Sequence, residues 1–335
     1  MRVNKKYNLD ALQNLDNGIE ENLAKKVMND QLTLMEFIDI WLELFKKNAL
    51  KISSYSRLRT SQKTLSNYEI SRKKICDISF FDIQTYINTL VDAGYSMSNI
   101  KKQVLIVTAP LKQAAAMKII RADPSVGIQM PSEAKVQKKA KEVIAYTKEE
   151  QEKLWKWISQ NPENIGYQAV AFEIETGLRA GELLALKWSD VDISLCKMKI
   201  HATIINPQYT NRAEYQDSAK SKSSHRSIPL TPKAIAILKR LREHRTTEWV
   251  FEQDGERYSY QKLTYQTKKL CREAKVKYHG EHVFRHTFAT NCYYKGIDVK
   301  ILSRLMGHSS VQVTYNIYIN LYGDGFDDMY AALCF

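Results

Sequence analysis

The sequence predicts a mainly α-helical protein with a small antiparallel β-sheet, in which a helical domain precedes a mixed α+β domain. Three observations predict this arrangement. Apolar residues recur at helical spacing from Thr33 to about residue 122. A polar, lysine-rich stretch without apolar period follows at about 124–145, and beyond it residues 197–205 and 225–230 alternate apolar and polar side chains as strands do. We therefore expect an N-terminal segment of unknown role at 1–31, a helical domain at 32–123, a basic linker at 124–145 and a mixed domain at 146–335.

The first domain is expected to hold four or five amphipathic helices. Thr33 can cap the first of them, with Glu36 in the reciprocal position of a capping box. We expect a loop around residues 53–60, a helix over 63–75, and two further helices, the last of which contains Pro110. The basic linker that follows would suit a protein whose two domains close around a nucleic-acid duplex. A plain flexible tether explains the linker equally well.

The mixed domain begins with a helix start signal, Thr147 followed by Glu150. Gly177 is placed to end the second helix, because glycine accepts the left-handed conformation of a helix C-cap. After the two predicted strands, Thr231 can cap a helix whose first residue is Pro232. Three helical stretches are expected near the C-terminus, over residues 282–294, 298–306 and roughly 310–320.

The composition favours a nucleic-acid partner. The formal net charge is +13 and the estimated isoelectric point is near 9.3. An anionic membrane surface would also attract such a chain, but no basic amphipathic segment stands out. We find no run of 18 apolar residues and no secretory signal, so we expect a cytoplasmic protein that does not enter a membrane. The five scattered cysteines predict reduced thiols rather than a zinc site.

The stretch at residues 281–290, EHVFRHTFAT, carries the densest set of candidate site residues. His282, Arg285 and His286 share one helical face by their spacing, and Phe288, Ala289 and Cys292 fall toward the side that would pack. Three hydrogen-bond donors on one patch suit an anion with several oxygens, such as a phosphodiester. A solvated helix face explains these residues equally well when they are taken alone.

Four more stretches hold groups that could bind or attack a phosphate. Arg179 lies at a helix N-terminus, where Glu182 could hold its guanidinium in a bidentate pair. Two lysines, a histidine after Gly307 and a tyrosine near the C-terminus complete the set. Each of these taken singly is an ordinary surface or structural residue. The residues are Lys220 and Lys222 in a serine-rich turn, His308, and Tyr318 with Tyr315 and Tyr322 as alternatives.

The order of these stretches is distinctive: TGLRAGE, then SAKSKSS with an arginine before IPL, then HVFRH, LMGHSS and VTYNIY. In this order they resemble the signature of the tyrosine recombinase (phage integrase) family, including integrases of phages and conjugative transposons. The resemblance spans about residues 33–322, and the helical domain looks like that family's core-binding domain. One departure is Phe284, where the family more often has leucine.

The resemblance implies a site-specific DNA recombinase that cuts and rejoins DNA through a 3′-phosphotyrosyl intermediate, without ATP or metal. A type IB topoisomerase or a chromosome-dimer resolvase is the alternative with the same chemistry, and a non-catalytic DNA-binding protein is a distant third. The implied partners are double-stranded DNA recombination sites, a homotetramer on that DNA, and accessory DNA-bending or excisionase proteins.

The resemblance also implies the residue roles. Two arginines would neutralise the phosphate oxygens, His282 would accept the proton of the tyrosine, His308 would bond a phosphate oxygen, and a lysine would protonate the leaving 5′ oxygen. The implied catalytic set is Arg179, Lys220, His282, Arg285, His308 and Tyr318, supported by Glu182, Lys222 and His286. Lys222 remains the rival of Lys220 as general acid. For DNA binding by the first domain we select Arg57, Arg59, Lys101 and Lys102, each of which is also well explained as solvated surface.

Overall fold

The computed structural model describes residues 31–136, 144–205, 213–217, 225–308 and 310–315. The chain divides into two compact units. The first contains the described residues up to 136, and the second contains those from 144 onwards. Each unit has a hydrophobic core of its own. No helix in the described part of the chain is long and apolar enough to cross a membrane.

The first unit is helical. A capping box of Thr33 and Glu36 starts its first helix, as predicted, and the apolar face of that helix is buried. The last helix continues through Pro110, which is buried within it. The helices are α1 (Leu34–Trp41, continued by a π-type turn at Leu42–Lys46), α2 (Ile52–Leu65), α3 (Phe80–Asp92) and α4 (Met97–Ala116), with a 3₁₀ turn at Glu69–Arg72.

Helix α2 corrects the prediction of a loop at 53–60 and a helix at 63–75. The helix occupies the predicted loop and ends at Leu65, and the rest of 63–75 holds only the 3₁₀ turn. Its buried face includes Ser61 and Gln62, so no apolar period reveals it. Arg59 also anchors α2 to α1 through ion pairs with Asp39 and Glu43, each 2.5 Å long. The helix therefore depends on contacts that apolar spacing does not record.

Part of the predicted linker belongs to the first unit. Val136 is 5% exposed and is part of the core of the helical unit. Gln84 on α3 also forms two hydrogen bonds with the backbone of Gln129. The chain thus stays packed on this unit as far as residue 136, and residues 137–143 of the predicted linker lie outside the described ranges.

The second unit is mostly helical, and its starts and stops follow the predicted signals. Thr147 and Glu150 form a capping box, and the Thr231 hydroxyl caps a helix that begins at Pro232. Its helices are α5 (Lys148–Gln160), α6 (Ile165–Thr176), α7 (Ala180–Leu184), α8 (Pro232–Glu243), α9 (Tyr260–Glu273), α10 (His282–Tyr294) and α11 (Val299–Met306), with a 3₁₀ turn at Trp188–Asp190 and a short helix over residues 311–315.

Among the described residues, the strands form three small antiparallel sheets rather than the single sheet predicted. The predicted strand at 197–205 is divided at His201, and its halves pair with different partners. Its first half joins a three-stranded sheet in the order β1–β2–β5, whereas its second half forms a separate hairpin. The strands are β1 (Val191–Asp192), β2 (Lys197–Ile200), β3 (Ala202–Ile205), β4 (Glu214–Asp217), β5 (Arg226–Pro229), β6 (Glu252–Gln253) and β7 (Glu256–Arg257).

Candidate active site

Arg179 is positioned by the tight connection between α6 and α7. Helix α6 ends at Gly177, which adopts the left-handed conformation with φ of 64°. A Cβ atom at this position would lie 2.2 Å from the Phe288 ring, so both the backbone conformation and the space require glycine. Arg179 is then the N-cap of α7, and its backbone N–H donates to the Glu182 carboxylate at 3.0 Å. The same carboxylate accepts from Arg179 Nη1 at 2.7 Å.

The bidentate partner of Glu182 is Arg226 on β5, not Arg179 as the sequence suggested. Nη1 and Nη2 of Arg226 bond the two carboxylate oxygens at 3.0 and 2.7 Å. Both side chains are more than nine-tenths buried. Burial opposes ionisation of Glu182, but the bonds and charge of Arg226, and then the charge of Arg179, outweigh it and lower the pKa of Glu182 to about 2.

Three arginine side chains from other elements bind the C-terminal end of α11. A helix leaves its last carbonyls without intrahelical partners. The Ser303 and Arg304 carbonyls accept from the backbone N–H groups of His308 and Gly307. The next three carbonyls each accept from a different guanidinium: Leu305 from Arg226 Nε (2.6 Å), Met306 from Arg285 Nη2, and Gly307 from Arg179 Nη2 (3.2 Å). We call Arg179, Arg226 and Arg285 the arginine cluster.

Arg285 is the most deeply placed of the cluster. Its side chain reaches inward from α10, where the residue is 4% exposed, and Nη1 donates to the Gly177 carbonyl at 2.6 Å. Burial, and next the charge of Arg179, lower the pKa of Arg285 to about 9, which still leaves it cationic at neutral pH. A guanidinium has five N–H donors. Two N–H groups of Arg285 donate to carbonyls, so its other N–H groups remain available to an anion.

His308 follows the arginine-bound carbonyls directly. Its Nδ1 lies 2.7 Å from the hydroxyl oxygen of Thr314 on the short helix at residues 311–315. Burial, followed by the charges of Arg285 and Arg179 and smaller effects of His286 and Arg226, lowers the pKa of His308 to about 4. The imidazole is therefore neutral at physiological pH.

The structure brings four of the predicted site residues together: Arg179, Glu182, Arg285 and His308. His286, on the same helix as Arg285, is near enough to His308 to influence its protonation. His282 is the first residue of α10 and is solvent exposed. Tyr315 is 52% exposed. Lys220, Lys222, Tyr318 and Tyr322 lie outside the described residues.

The burial pattern of α10 differs from the prediction, which gave the helix one exposed polar face and one packed face. Ala289 and Cys292 pack in a small core with residues of α11, as expected. Arg285, however, is buried with Val283 and Phe284 rather than lying on an exposed patch with His282. The helix is covered on most of its circumference because it packs against both α6 and α11.

Arg226 is the site residue that the sequence reasoning missed. One signal for it was available, because side chains two positions apart on a strand point to the same face. Arg226 is two positions before Ile228, which is 1% exposed. A charged residue on the buried face of a strand requires a charged or polar partner inside the protein, and Glu182 is that partner.

A comparison with known families identifies the chain. The sequence profile of the phage integrase family matches residues 145–323, more than half of the protein. The chain belongs to the phage integrase family. The family, the fold class and the enzyme class predicted from the sequence, a tyrosine-type site-specific DNA recombinase, are thereby confirmed.

Individual relatives agree with this identification. The chain is 26% identical to a XerC-like tyrosine recombinase of Caldanaerobacter subterraneus, over 91% of this chain and 83% of the relative. It is 25% identical to the ICEBs1 integrase of Bacillus subtilis, over 95% of this chain and 86% of the relative. A structure of the Tn1549 transposon integrase with transposon right end DNA has the same fold, with a TM-score of 0.72 and 18% identity, over 91% of this chain and 100% of that one.

No cluster of His, Cys, Asp or Glu side chains capable of holding a metal ion is found among the described residues of this integrase-family protein. The conspicuous charged groups at the candidate site are instead the arginine cluster and Glu182. Such an arrangement can bind and stabilise an anion, because fixed guanidinium donors in a partly buried setting interact strongly with negative charge.

Replacing Arg226 with methionine is expected to reduce the free energy of unfolding by about 3–5 kcal/mol, because it leaves the buried Glu182 carboxylate without its bidentate partner. Urea unfolding followed by circular dichroism measures this loss. Arg242→Met on the exposed side of α8 is the matched control, with an expected change within about 0.5 kcal/mol. Equal effects of the two substitutions would contradict a structural role for the pair.

The depressed pKa of Glu182 predicts a pH-dependent contribution to stability. Its folded value of about 2 lies below the ordinary value of 4.5, so the contribution is present above pH 4.5 and is lost as pH falls toward 2. We expect the gap in unfolding free energy between the wild type and Glu182→Gln to narrow over this range. Glu243→Gln, exposed on α8, is the control, whose gap should stay small throughout. A gap for Glu182→Gln that is constant with pH would contradict the assignment.

Proposed function

We propose that this recombinase cleaves DNA with Tyr318 as nucleophile and with Arg179 and Arg285 of the arginine cluster as the phosphate-binding residues. The observation that carries the proposal is the anchoring of Arg179 and Arg285 on adjacent carbonyls at the end of α11, next to His308. Arg179 keeps 38% of its side chain exposed, so a phosphate can approach it from solvent. Preorganised donors of this kind stabilise charge without having to reorient during the reaction.

The proposed chemistry is a transesterification in which atoms and charges balance. The Tyr318 oxygen forms a bond to the scissile phosphorus, and the bond from phosphorus to the 5′ oxygen breaks. His282 accepts the phenolic proton, because a tyrosine with an ordinary pKa near 10 needs a base at neutral pH. Lys220 donates a proton to the departing 5′ oxygen, with Lys222 as the alternative donor. Rejoining reverses these steps with the 5′ hydroxyl of another strand.

Arg179 and Arg285 bind the non-bridging oxygens, and His308 donates a hydrogen bond to one of them. A neutral His308 suits that role because it can donate without adding another positive charge beside the arginines. Glu182 and Arg226 support Arg179 through the shared carboxylate. Tyr315, a rival nucleophile, is exposed and adjacent to Thr314, which is buried against His308. Neighbouring residues of a helix do not share a face, which argues against Tyr315 as the nucleophile.

We propose that the helical unit contributes to binding double-stranded DNA. Arg57 and Lys102 line one surface groove of about 410 Å³, together with Lys46. Lys101 is also exposed on α4. Arg59 is different, because Asp39 and Glu43 already compensate its charge, so it has fewer donors to offer a phosphate. The basic net charge of the chain supports the same partner.

We further propose that the protein acts in the cytoplasm as a homotetramer on two recombination sites, with accessory DNA-bending or excisionase proteins. One related structure, with a TM-score of 0.60 and 16% identity over 95% of this chain and 88% of that one, is a lambda integrase tetramer bound to a Holliday junction. Sedimentation of the protein with and without site DNA tests the assembly, and complexes that stay at one protein per site would contradict it.

The test of the proposed function is incubation with nicked suicide substrates that carry candidate recombination-site sequences. Cleavage close to the nick releases a short fragment, which prevents rejoining and traps the covalent complex. We expect a DNA-linked protein band and a phosphotyrosine-linked peptide that contains Tyr318. If the protein bound all of the tested substrates but formed no covalent adduct with any of them, the proposed cleavage activity would be contradicted. That result would favour a non-catalytic DNA-binding protein.

A further inference from the structure

The contact between His308 and Thr314 ties two parts of the site together. Thr314 lies on the short helix at residues 311–315, and it is completely buried. Its hydroxyl oxygen is 2.7 Å from Nδ1 of His308, a short distance for this pair of atoms. The Thr314 hydroxyl cannot easily exchange this bond for one to water, because Thr314 is inaccessible to solvent.

The direction of this hydrogen bond follows from the protons available. A threonine hydroxyl has one proton to donate, and leaving a buried donor unsatisfied is costly. Among the described residues, His308 is the only hydrogen-bond partner of the Thr314 hydroxyl. If Nδ1 carried a proton, the hydroxyl would have to accept, and its own proton would have no acceptor there. The arrangement is satisfied when the hydroxyl donates and Nδ1 accepts.

A neutral imidazole carries a single proton, so an accepting Nδ1 places that proton on Nε2. Burial of the ring disfavours a second proton first of all. Four groups on surrounding elements add to this effect: Arg285 and His286 on α10, Arg179 before α7, and Arg226 on β5. The ring is therefore held in one tautomer, with Nε2 as its hydrogen-bond donor. An Nε2–H group is what a non-bridging phosphate oxygen requires.

We propose that Thr314 is a positioning residue that donates its hydroxyl proton to His308 Nδ1 and so keeps His308 Nε2–H available as a donor to the DNA phosphate. The consequence for catalysis rests on the proposed function, whereas the hydrogen bond and the tautomer do not. Thr314 does not touch the reacting atoms and acts only through His308. A threonine that merely filled space would leave the tautomer and the ring orientation to other contacts.

The direct test is nuclear magnetic resonance of the full chain labelled with ¹⁵N-histidine at neutral pH. The chain has seven histidines, and the signals that disappear in His308→Gln belong to His308. We expect Nε2 protonated and Nδ1 unprotonated, with the Nδ1 signal shifted by an accepted hydrogen bond. Thr314→Val removes the hydroxyl at nearly constant volume and should move that signal to the position of an unbonded nitrogen. Thr314→Ser should retain the wild-type pattern.

A wild-type spectrum with the proton on Nδ1 would overturn the proposal, as would an Nδ1 signal unchanged by Thr314→Val. The wild-type measurement alone decides the tautomer if Thr314→Val does not fold. Thermal melting of the Val and Ser variants checks that both retain the native fold. These spectra need no DNA and no activity, so they remain informative even if the protein does not cleave the chosen substrate.

The catalytic consequence is measured as the rate constant of covalent adduct formation on the suicide substrate. We expect Thr314→Val to slow cleavage by about 10- to 100-fold, in keeping with the loss of one oriented donor at a developing charge. The affinity for DNA should stay unchanged, and Thr314→Ser should cleave within about threefold of the wild type. Normal cleavage by Thr314→Val, or equal slowing by the Ser variant, would show that the hydroxyl does not act through His308.

Discussion

Tyr318→Phe is expected to abolish formation of the covalent protein–DNA adduct while leaving DNA affinity within about twofold of the wild type. The substitution removes only the phenolic oxygen, which is the proposed nucleophile, and no other oxygen of the site is assigned to attack the phosphorus. The measurement is a denaturing gel of the suicide-substrate reaction, run beside a mobility-shift titration of the same protein.

Tyr315→Phe is the matched control, three residues earlier and solvent exposed. We expect it to form the adduct at the wild-type rate. The reverse pattern, with an active Tyr318→Phe and an inactive Tyr315→Phe, would assign the nucleophile to Tyr315. Loss of the adduct in both variants would require mapping of the wild-type linkage by peptide sequencing.

Arg285→Lys is expected to slow cleavage by roughly 10²–10³-fold, the cost of losing an oriented donor at a charged transition state. Lysine keeps the positive charge, but it cannot bond the Gly177 and Met306 carbonyls and still present a planar pair of donors to a phosphate. The effect should therefore appear mainly in the rate of the chemical step. Single-turnover cleavage at saturating protein measures it.

Arg242→Lys, on the exposed surface of α8, is the control for a general change in charge type and should cleave normally. Thermal melting of Arg285→Lys is needed beside the kinetics, because the side chain is buried between α6 and α11. A folded Arg285→Lys protein that cleaves at the wild-type rate would remove Arg285 from the proposed phosphate-binding set.

His308 is a residue whose position the sequence predicts but whose hydrogen bond only the tertiary structure shows. The position of the histidine after a helix-ending glycine is visible in the sequence, and Gly307 indeed adopts the left-handed conformation with φ of 63°. Its neutrality and its partner are not visible, because both arise from groups on α10, α7, β5 and the helix at residues 311–315. A motif can thus identify the residue without specifying its charge state or which ring nitrogen carries its proton.

The sequence by itself determined the features that depend on near neighbours. Capping boxes at Thr33 and Thr147 and the glycine end of α6 are local, since each is satisfied within a few residues by backbone groups of the same helix. The ordered motifs of the second domain likewise predicted the family that the profile match confirmed. Where a local signal was absent, as in α2 with its polar buried face, the prediction was wrong.

Only the tertiary structure decided how the charged groups are arranged. Arg179, Arg226 and Arg285 are far apart in the chain, yet they bond three consecutive carbonyls at the end of α11. The choice of Arg226 as the bidentate partner of Glu182, and the burial of Arg285, follow from the packing of α6, α7, α10 and β5 around that helix end. Local spacing cannot predict such pairings, because the free energy of a buried charge depends on partners supplied by distant segments.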